Sequence, residues 1–229
     1  GMGGNQMSGY YMPRLYAFLE ELGRNNDRPW FAAHRAEYDE LRALWLADVQ
    51  RMVGDMALWE PAMKGREARE FVYRIYRDTR FSPDKTPYKT YFSAAPGPFG
   101  RSGEYAGYYL QLGPGADSGI YGGCWCPSSP VLRKLRHAIV DNIEEFLHIV
   151  DNPELQREFP GWCSSMLKTI PKGWDRNHPQ AFYLRMTNYG KFRELPADFF
   201  FSPEWPLRAS ALMKTLKPLV DFINYSIDE

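Results

Sequence analysis

Cysteine is scarce in this chain: Cys124, Cys126 and Cys163 are the three it has. So few thiols, odd in number, exclude a disulfide framework and favour a reducing compartment, with the cytoplasm as the expected location. Cys124 and Cys126 fall on one strand face, but no second cysteine pair and no H-x₃₋₅-H spacing accompanies them, so no metal site is expected. No apolar run reaches the roughly 18 residues that a membrane-spanning helix needs. The opening "GMGGNQMSGYYMP" lacks the apolar core of a signal peptide. Gly1 before Met2 reads as a remnant of cloning, and residues 1–9 are expected to form a poorly ordered leader. An excess of one charge is missing too, since 28 basic residues meet 28 acidic ones. No global field therefore steers the protein to nucleic acid or to an anionic membrane. G-x-S-x-G, H-E-x-x-H, G-x-G-x-x-G and P-loop patterns are all absent, which removes the usual routes to serine hydrolase, zincin, dinucleotide-binding and P-loop assignments. "GPFGRSGEY" (97–105) is Gly-rich without the P-loop Lys-Ser/Thr and reads as a flexible loop able to cover a site.

What is present fits a soluble globular protein. With 229 residues, 44% hydrophobic and 24% charged, the chain can bury a substantial core, and residues 10–229 are expected to form one domain. Aromatic residues at 16% are abundant enough to line a pocket as well as a core. A helix is expected over 13–22, stopping at Gly23, and a longer one over 28–57, with Asp27 as N-cap and Pro29 in its first turn. The period then changes to two: "FVYRIY" (71–76), "AGYYLQL" (106–112) and "GIYGGCW" (119–125) read as strands. A helix over 130–149 follows, then a short one near 153–159, and 181–192 is compatible with a strand or a short helix. A last helical stripe spans 204–227, where Pro218 should kink or break it. Helices, a central sheet, then helices predict an α+β fold, a central antiparallel sheet packed with several long helices.

The segment "RIYRDTRFSPDKTPYKT" (74–90) stands out in this neutral chain. Its 17 residues hold Arg74, Arg77, Arg80, Lys85 and Lys89 against Asp78 and Asp84. Arginine offers a planar fork of donors and lysine a mobile point charge, and both suit phosphate or carboxylate oxygens. The competing explanation is architectural: the two aspartates pair with two of the cations and water solvates the rest.

The run "RIYRDTRFSPDKTPYKTYFSA", with "AGYYLQL", "GGCWCPSSPVLRKLR", "PKGWDRNHP" and the earlier "FLEELGRNNDRPWFAAHRAEY", resembles the bacterial and fungal family known as domain of unknown function 2461. The resemblance runs from about Pro13 to Ile227. It implies an uncharacterised cytoplasmic α+β domain with no established reaction. By position it covers Arg77, Asp78, Arg80, Phe81, Ser82, Asp84, Lys85, Pro87, Tyr88, Lys89, Gly107, Tyr108, Lys172, Gly173 and His178; "GGCWCP" departs from the block's aromatic-then-proline form.

The expected site is an anion-binding pocket in which Arg77, Arg80, Lys85, Lys89 and Lys172 hold a phosphate- or carboxylate-bearing small molecule, with Tyr88 and Tyr108 donating hydrogen bonds. Arg133 or Arg136, with Ser128 and Ser129 at a helix N-terminus, would assist. Asp78 would orient an arginine or act as a base, and His178 is of the residue type that suits a general acid or base, although a turn-capping role competes. A cofactor, a reaction and an oligomeric state do not follow from the sequence. Two alternatives use the same loop: a nucleic-acid module with Tyr76, Tyr88 and Tyr91 stacking on bases, which the neutral charge disfavours, and docking of an acidic protein partner.

Overall fold

In the computed structural model, residues 9–115 and 117–229 are described; the expected leader, apart from Gly9, lies outside them. The fold is α+β, as expected, with a four-stranded antiparallel sheet in the order β1-β2-β3-β4. The strands are β1 (Phe92–Ala94), β2 (Gly107–Leu112), β3 (Gly119–Cys124) and β4 (Tyr189–Glu194). No helix among the described residues is long and apolar enough to cross a membrane. The chain divides into two compact units, one built from residues up to 101 with 109–120 and 194–211, the other from 102–108, 121–193 and 212–229.

The first unit begins with α1 (Met12–Arg24), α2 (Arg28–Ala33) and α3 (Arg35–Met56). Asp27 caps α2 as expected, accepting the Trp30 N–H at 2.8 Å. The single helix expected over 28–57 is two, because His34 leaves helical geometry (φ −111°, ψ 14°) and its ring stacks on Trp30 at 3.8 Å. Trp45 of α3 stacks on Trp205 at 5.8 Å and meets the Phe92 ring edge-on at 5.7 Å. Beside this apolar centre lies Asp48, 6% exposed, whose carboxylate accepts the hydroxyls of Tyr10 (2.5 Å) and Tyr11 (2.8 Å) and pairs with Arg51 (3.3 Å). Tyr10 in turn accepts the Trp205 indole N–H at 2.8 Å. A buried carboxylate tolerates this place because each oxygen has a donor.

"FVYRIY" does not form a full strand. Its pairing reduces to the bridges Val72↔Ala94 and Tyr76↔Tyr88, and the register slips by two residues between them, which interrupts the ladder. In β1 and β2 the register is regular: Phe92↔Leu112, Ser93↔Gln111, Ala94↔Leu110. Phe92, Ala94, Leu110 and Leu112 point into the core, so Ser93, Tyr109 and Gln111 share the opposite face.

The second unit holds α4 (Ser129–Asp141), α5 (Ile143–Val150), α6 (Pro153–Glu158) and α7 (Ala181–Leu184). The helix expected over 130–149 breaks at Asn142 (φ −124°, ψ 39°), whose side-chain amide donates to the Ala138 carbonyl at 2.9 Å. The segment 181–192 supplies both of the anticipated alternatives in succession, α7 and then β4. Phe146 packs against Phe222 at 5.3 Å and Tyr183 at 4.9 Å. β3 and β4 approach so closely that a Cβ added at Gly190 would stand 1.9 Å from the Tyr121 hydroxyl oxygen. Lys191, 1% exposed, donates to the carbonyls of Phe159 (3.1 Å) and Gly161 (2.6 Å), with its ammonium 4.3 Å from the Trp162 ring centroid.

Two further helices, α8 (Ala197–Phe201) and α9 (Trp205–Asp228), close the chain. No break occurs at Pro218, which lies within α9 on an exposed position where water can satisfy the carbonyl that proline leaves unpaired.

Candidate functional site

The segment 74–90 folds back on itself through backbone bonds at its base, Arg77 N–H to Pro87 O (2.8 Å) and Lys89 N–H to Ile75 O (2.7 Å). The Asn26 side chain fastens it from outside, donating to Tyr88 O (2.8 Å) and accepting Tyr88 N–H (3.0 Å). Tyr88, 5% exposed, stacks on Phe31 at 4.2 Å. It is therefore a packing residue and presents no open ring for a base.

Three of the segment's cations are spent on its own architecture. The Arg77 guanidinium donates to Thr86 O (2.8 Å), Thr86 Oγ1 (2.9 Å) and Asp84 O (3.3 Å), and lies 3.5 Å from the Asp84 carboxylate. Lys85 donates to Thr79 O at 2.6 Å. Arg80 grips Asp78 through two parallel bonds of 3.0 and 2.9 Å, and these bonds pull the Asp78 carboxyl down to about 2. So acidic a carboxyl is a weak proton acceptor at neutral pH. Phe81, at the apex, is 92% exposed.

Lys89 is placed differently. Its ammonium donates to the Arg74 carbonyl at 2.8 Å and stands 5.5 Å from the centre of the Tyr73 ring. The Arg101 guanidinium, from the Gly-rich loop, stands 6.0 Å from the same centre. Burial and the neighbouring Arg74 charge push the Lys89 pKa down. Among the described residues no carboxylate pairs with Arg74, Lys89 or Arg101. A ring face attracts a cation by about 0.5–1 kcal/mol at an exposed site, but one ring does not neutralise two.

Around these cations the sheet presents tyrosines. Tyr73 N–H donates to Ser93 O (3.0 Å), which sets Tyr73 beside β1, and its ring meets Tyr109 edge-on at 6.1 Å. The Tyr109 hydroxyl donates to Gln111 Oε1 at 2.5 Å. Burial pushes the Tyr109 hydroxyl up to about 12, and the nearby hydroxyls of Tyr91 and Tyr73 act in the same direction. All of these residues belong to the first unit.

Of the other expected site residues, Tyr108, Lys172 and His178 belong to the second unit. Tyr108 is buried and Lys172 exposed. His178 accepts the Gln180 N–H on Nδ1 at 2.9 Å, a turn-capping bond, with its ring edge-on to Trp174 at 5.5 Å. Arg136 is buried and donates to Met186 O at 2.9 Å, and Ser128 caps α4 by accepting the Val131 N–H at 3.4 Å. No group of histidine, cysteine and carboxylate side chains able to hold a metal ion occurs among the described residues.

The model of a family described as a conserved hypothetical protein, DUF2461, matches residues 14–222, nearly the whole chain. The chain belongs to the DUF2461 family. No curated protein and no solved structure matches it. DUF2461 membership thus covers the loop and the tyrosine-bearing strands alike, and assigns no reaction to either. Tyr73, Arg101, Tyr109 and Gln111 were not singled out from the sequence. The alternation in "AGYYLQL", which sets Tyr109 and Gln111 opposite the core-facing Tyr108 and Leu110, was the available signal.

Proposed function

We propose that the protein binds a small phosphate- or carboxylate-bearing molecule at the Lys89 end of the basic segment. The observation that carries this reading is that Lys89 and Arg101 each lie against the one Tyr73 ring, with Arg74 beside Lys89, and that among the described residues no carboxylate is in ion-pair contact with any of the three, Asp78 acting on Arg74 only at longer range. Cations with no carboxylate in ion-pair contact favour an anion from solution. Lysine and arginine supply the donors, and tyrosine hydroxyls at the rim add further polar contacts.

The pairing of Arg77, Arg80 and Lys85 within their own loop supports the architectural alternative for those three residues only. They make the scaffold, and Lys89, Arg74 and Arg101 make the site.

Calorimetric titration with inorganic phosphate and with a dicarboxylate tests the proposal. Binding in the wild type and in Arg80→Gln, with at least a tenfold loss in Arg101→Gln, is the expected result. Arg101 makes no bond to the loop, so its loss leaves the scaffold intact. If neither anion binds the wild type, or if Arg101→Gln binds as well as the wild type, the site lies elsewhere or does not exist.

A further inference from the structure

The face on which these cations sit is unusual in its rings. An antiparallel sheet with one face in the core normally turns small polar or charged side chains outward. Here the positions opposite the core on neighbouring segments carry Tyr73, Tyr91 and Tyr109, all partly buried, together with Gln111 and the buried Ser93. The register explains how they come together. Ser93 lies opposite Gln111, and two residues along, Tyr91 faces Gly113. A Cβ added at Gly113 would stand 3.1 Å from Tyr91 Cβ and 2.8 Å from the Thr90 carbonyl oxygen, so the glycine both permits the close pairing and leaves the surface beside the Tyr91 ring bare. Tyr73 and Tyr109 meet edge-on at 6.1 Å, and the cations of Lys89 and Arg101 rest 5.5 and 6.0 Å from the Tyr73 centre.

Partly exposed rings on a sheet face, bordered by cations, form the arrangement that stacks flat heterocycles while holding their phosphates. We infer that the anion taken by this site carries a flat aromatic ring system, of the chemical class of a nucleoside phosphate, with its ring on the Tyr73, Tyr91 and Tyr109 surface and its phosphate at Lys89 and Arg101. The inference rests on the anion site proposed above. Gln111 braces the platform: its Oε1 takes the Tyr109 hydroxyl, and its Nε2 donates to the Asp117 carbonyl at 3.2 Å. A monomeric ligand is favoured over a nucleic-acid strand because the platform has cations for one phosphate group, and the chain as a whole has no net positive charge to track a polymer.

The experiment is calorimetry on the full chain with four probes: inorganic phosphate, ribose 5-phosphate, adenosine 5′-monophosphate and a ten-residue thymidine oligonucleotide, each at two salt concentrations. Stacking of one base contributes about 1–3 kcal/mol, so the nucleotide should bind about 5- to 150-fold more tightly than ribose 5-phosphate. That advantage, read as the ratio of nucleotide to ribose 5-phosphate affinity within each variant, should vanish in Tyr73→Leu and survive in Tyr73→Phe. Equal affinity of the wild type for the nucleotide and the sugar phosphate overturns the aromatic ligand and leaves the small-anion site standing. Failure of all four probes overturns both. An oligonucleotide that binds at least tenfold more tightly than the nucleotide, with steep salt dependence, overturns the monomeric ligand in favour of a strand.

Discussion

Lys89 hangs its ammonium on the backbone carbonyl of Arg74, 2.8 Å away, where burial and the Arg74 charge together lower its pKa. A lysine used only to close the loop needs no second cation beside it. Lys85 is held likewise by the Thr79 carbonyl, so what sets Lys89 apart is its burial beside Arg74 and its place against the Tyr73 ring.

Arg77 should prove the clasp of the loop. Its guanidinium reaches three acceptors on residues 84 and 86 through the single nitrogen Nη1, which stands one bond farther from Cα than a lysine ammonium does. Arg77→Ala and Arg77→Lys are both expected to lower stability by about 1–3 kcal/mol and to open the loop to proteases. Arg80→Ala, which removes a solvent-exposed pair, should leave the melting temperature unchanged. Chemical denaturation with limited proteolysis of the three variants checks this, and an unchanged Arg77→Lys would refute the clasp.

Asp48 is the polar hinge of the first unit's interior. Asp48→Ala would strip two tyrosine hydroxyls of their acceptor and leave Arg51 without its nearest carboxylate oxygen. A loss of about 2–5 kcal/mol is expected, from unsatisfied buried groups together with a broken ion pair. Trp205, tied to the same cluster through Tyr10, should report the change in its fluorescence. A urea midpoint within error of the wild type would show that the cluster is dispensable.

Burial at Lys191 produces a pH dependence whose sign is fixed. Removal from water brings its pKa down to about 8 from 10.5, against a smaller opposing pull from Asp151. The unfolded chain therefore holds this proton more tightly than the folded one, and stability rises as pH climbs from about 8 towards 10.5. Below about 8 both states carry the charge and the fold bears the full cost of burying it. Urea melts at pH 7.5 and 9.5 should show a smaller rise for Lys191→Met than for the wild type. Equal slopes in the two proteins would mean that the ammonium is not penalised in the fold.

Much of the fold was legible because its causes are local. Asp27 and Pro29 announce a helix start wherever they stand, and the alternation of "AGYYLQL" is the pleat of β2 written in residues. The breaks at His34 and Asn142 were not legible, since the residues on either side continue the apolar stripe and only the backbone turns aside. "FVYRIY" has strand composition, yet a slip of two residues between its bridges leaves no ladder, and register depends on the partner. The basic segment was visible as a concentration of charge. Which cations were spent was not, because Arg77 meets carbonyls that exist as acceptors only once the loop has closed. Arg101 lies 12 residues beyond Lys89, in a Gly-rich stretch without pattern, and only the fold sets both on one ring.

The contact between Tyr121 and Gly190 constrains the order in which this protein can change. With only 1.9 Å between the Tyr121 oxygen and the place a Cβ would occupy, a side chain at position 190 requires the Tyr121 ring to move. A smaller residue at 121 removes that demand at the cost of a void, so a substitution at 190 should be better tolerated once 121 is small.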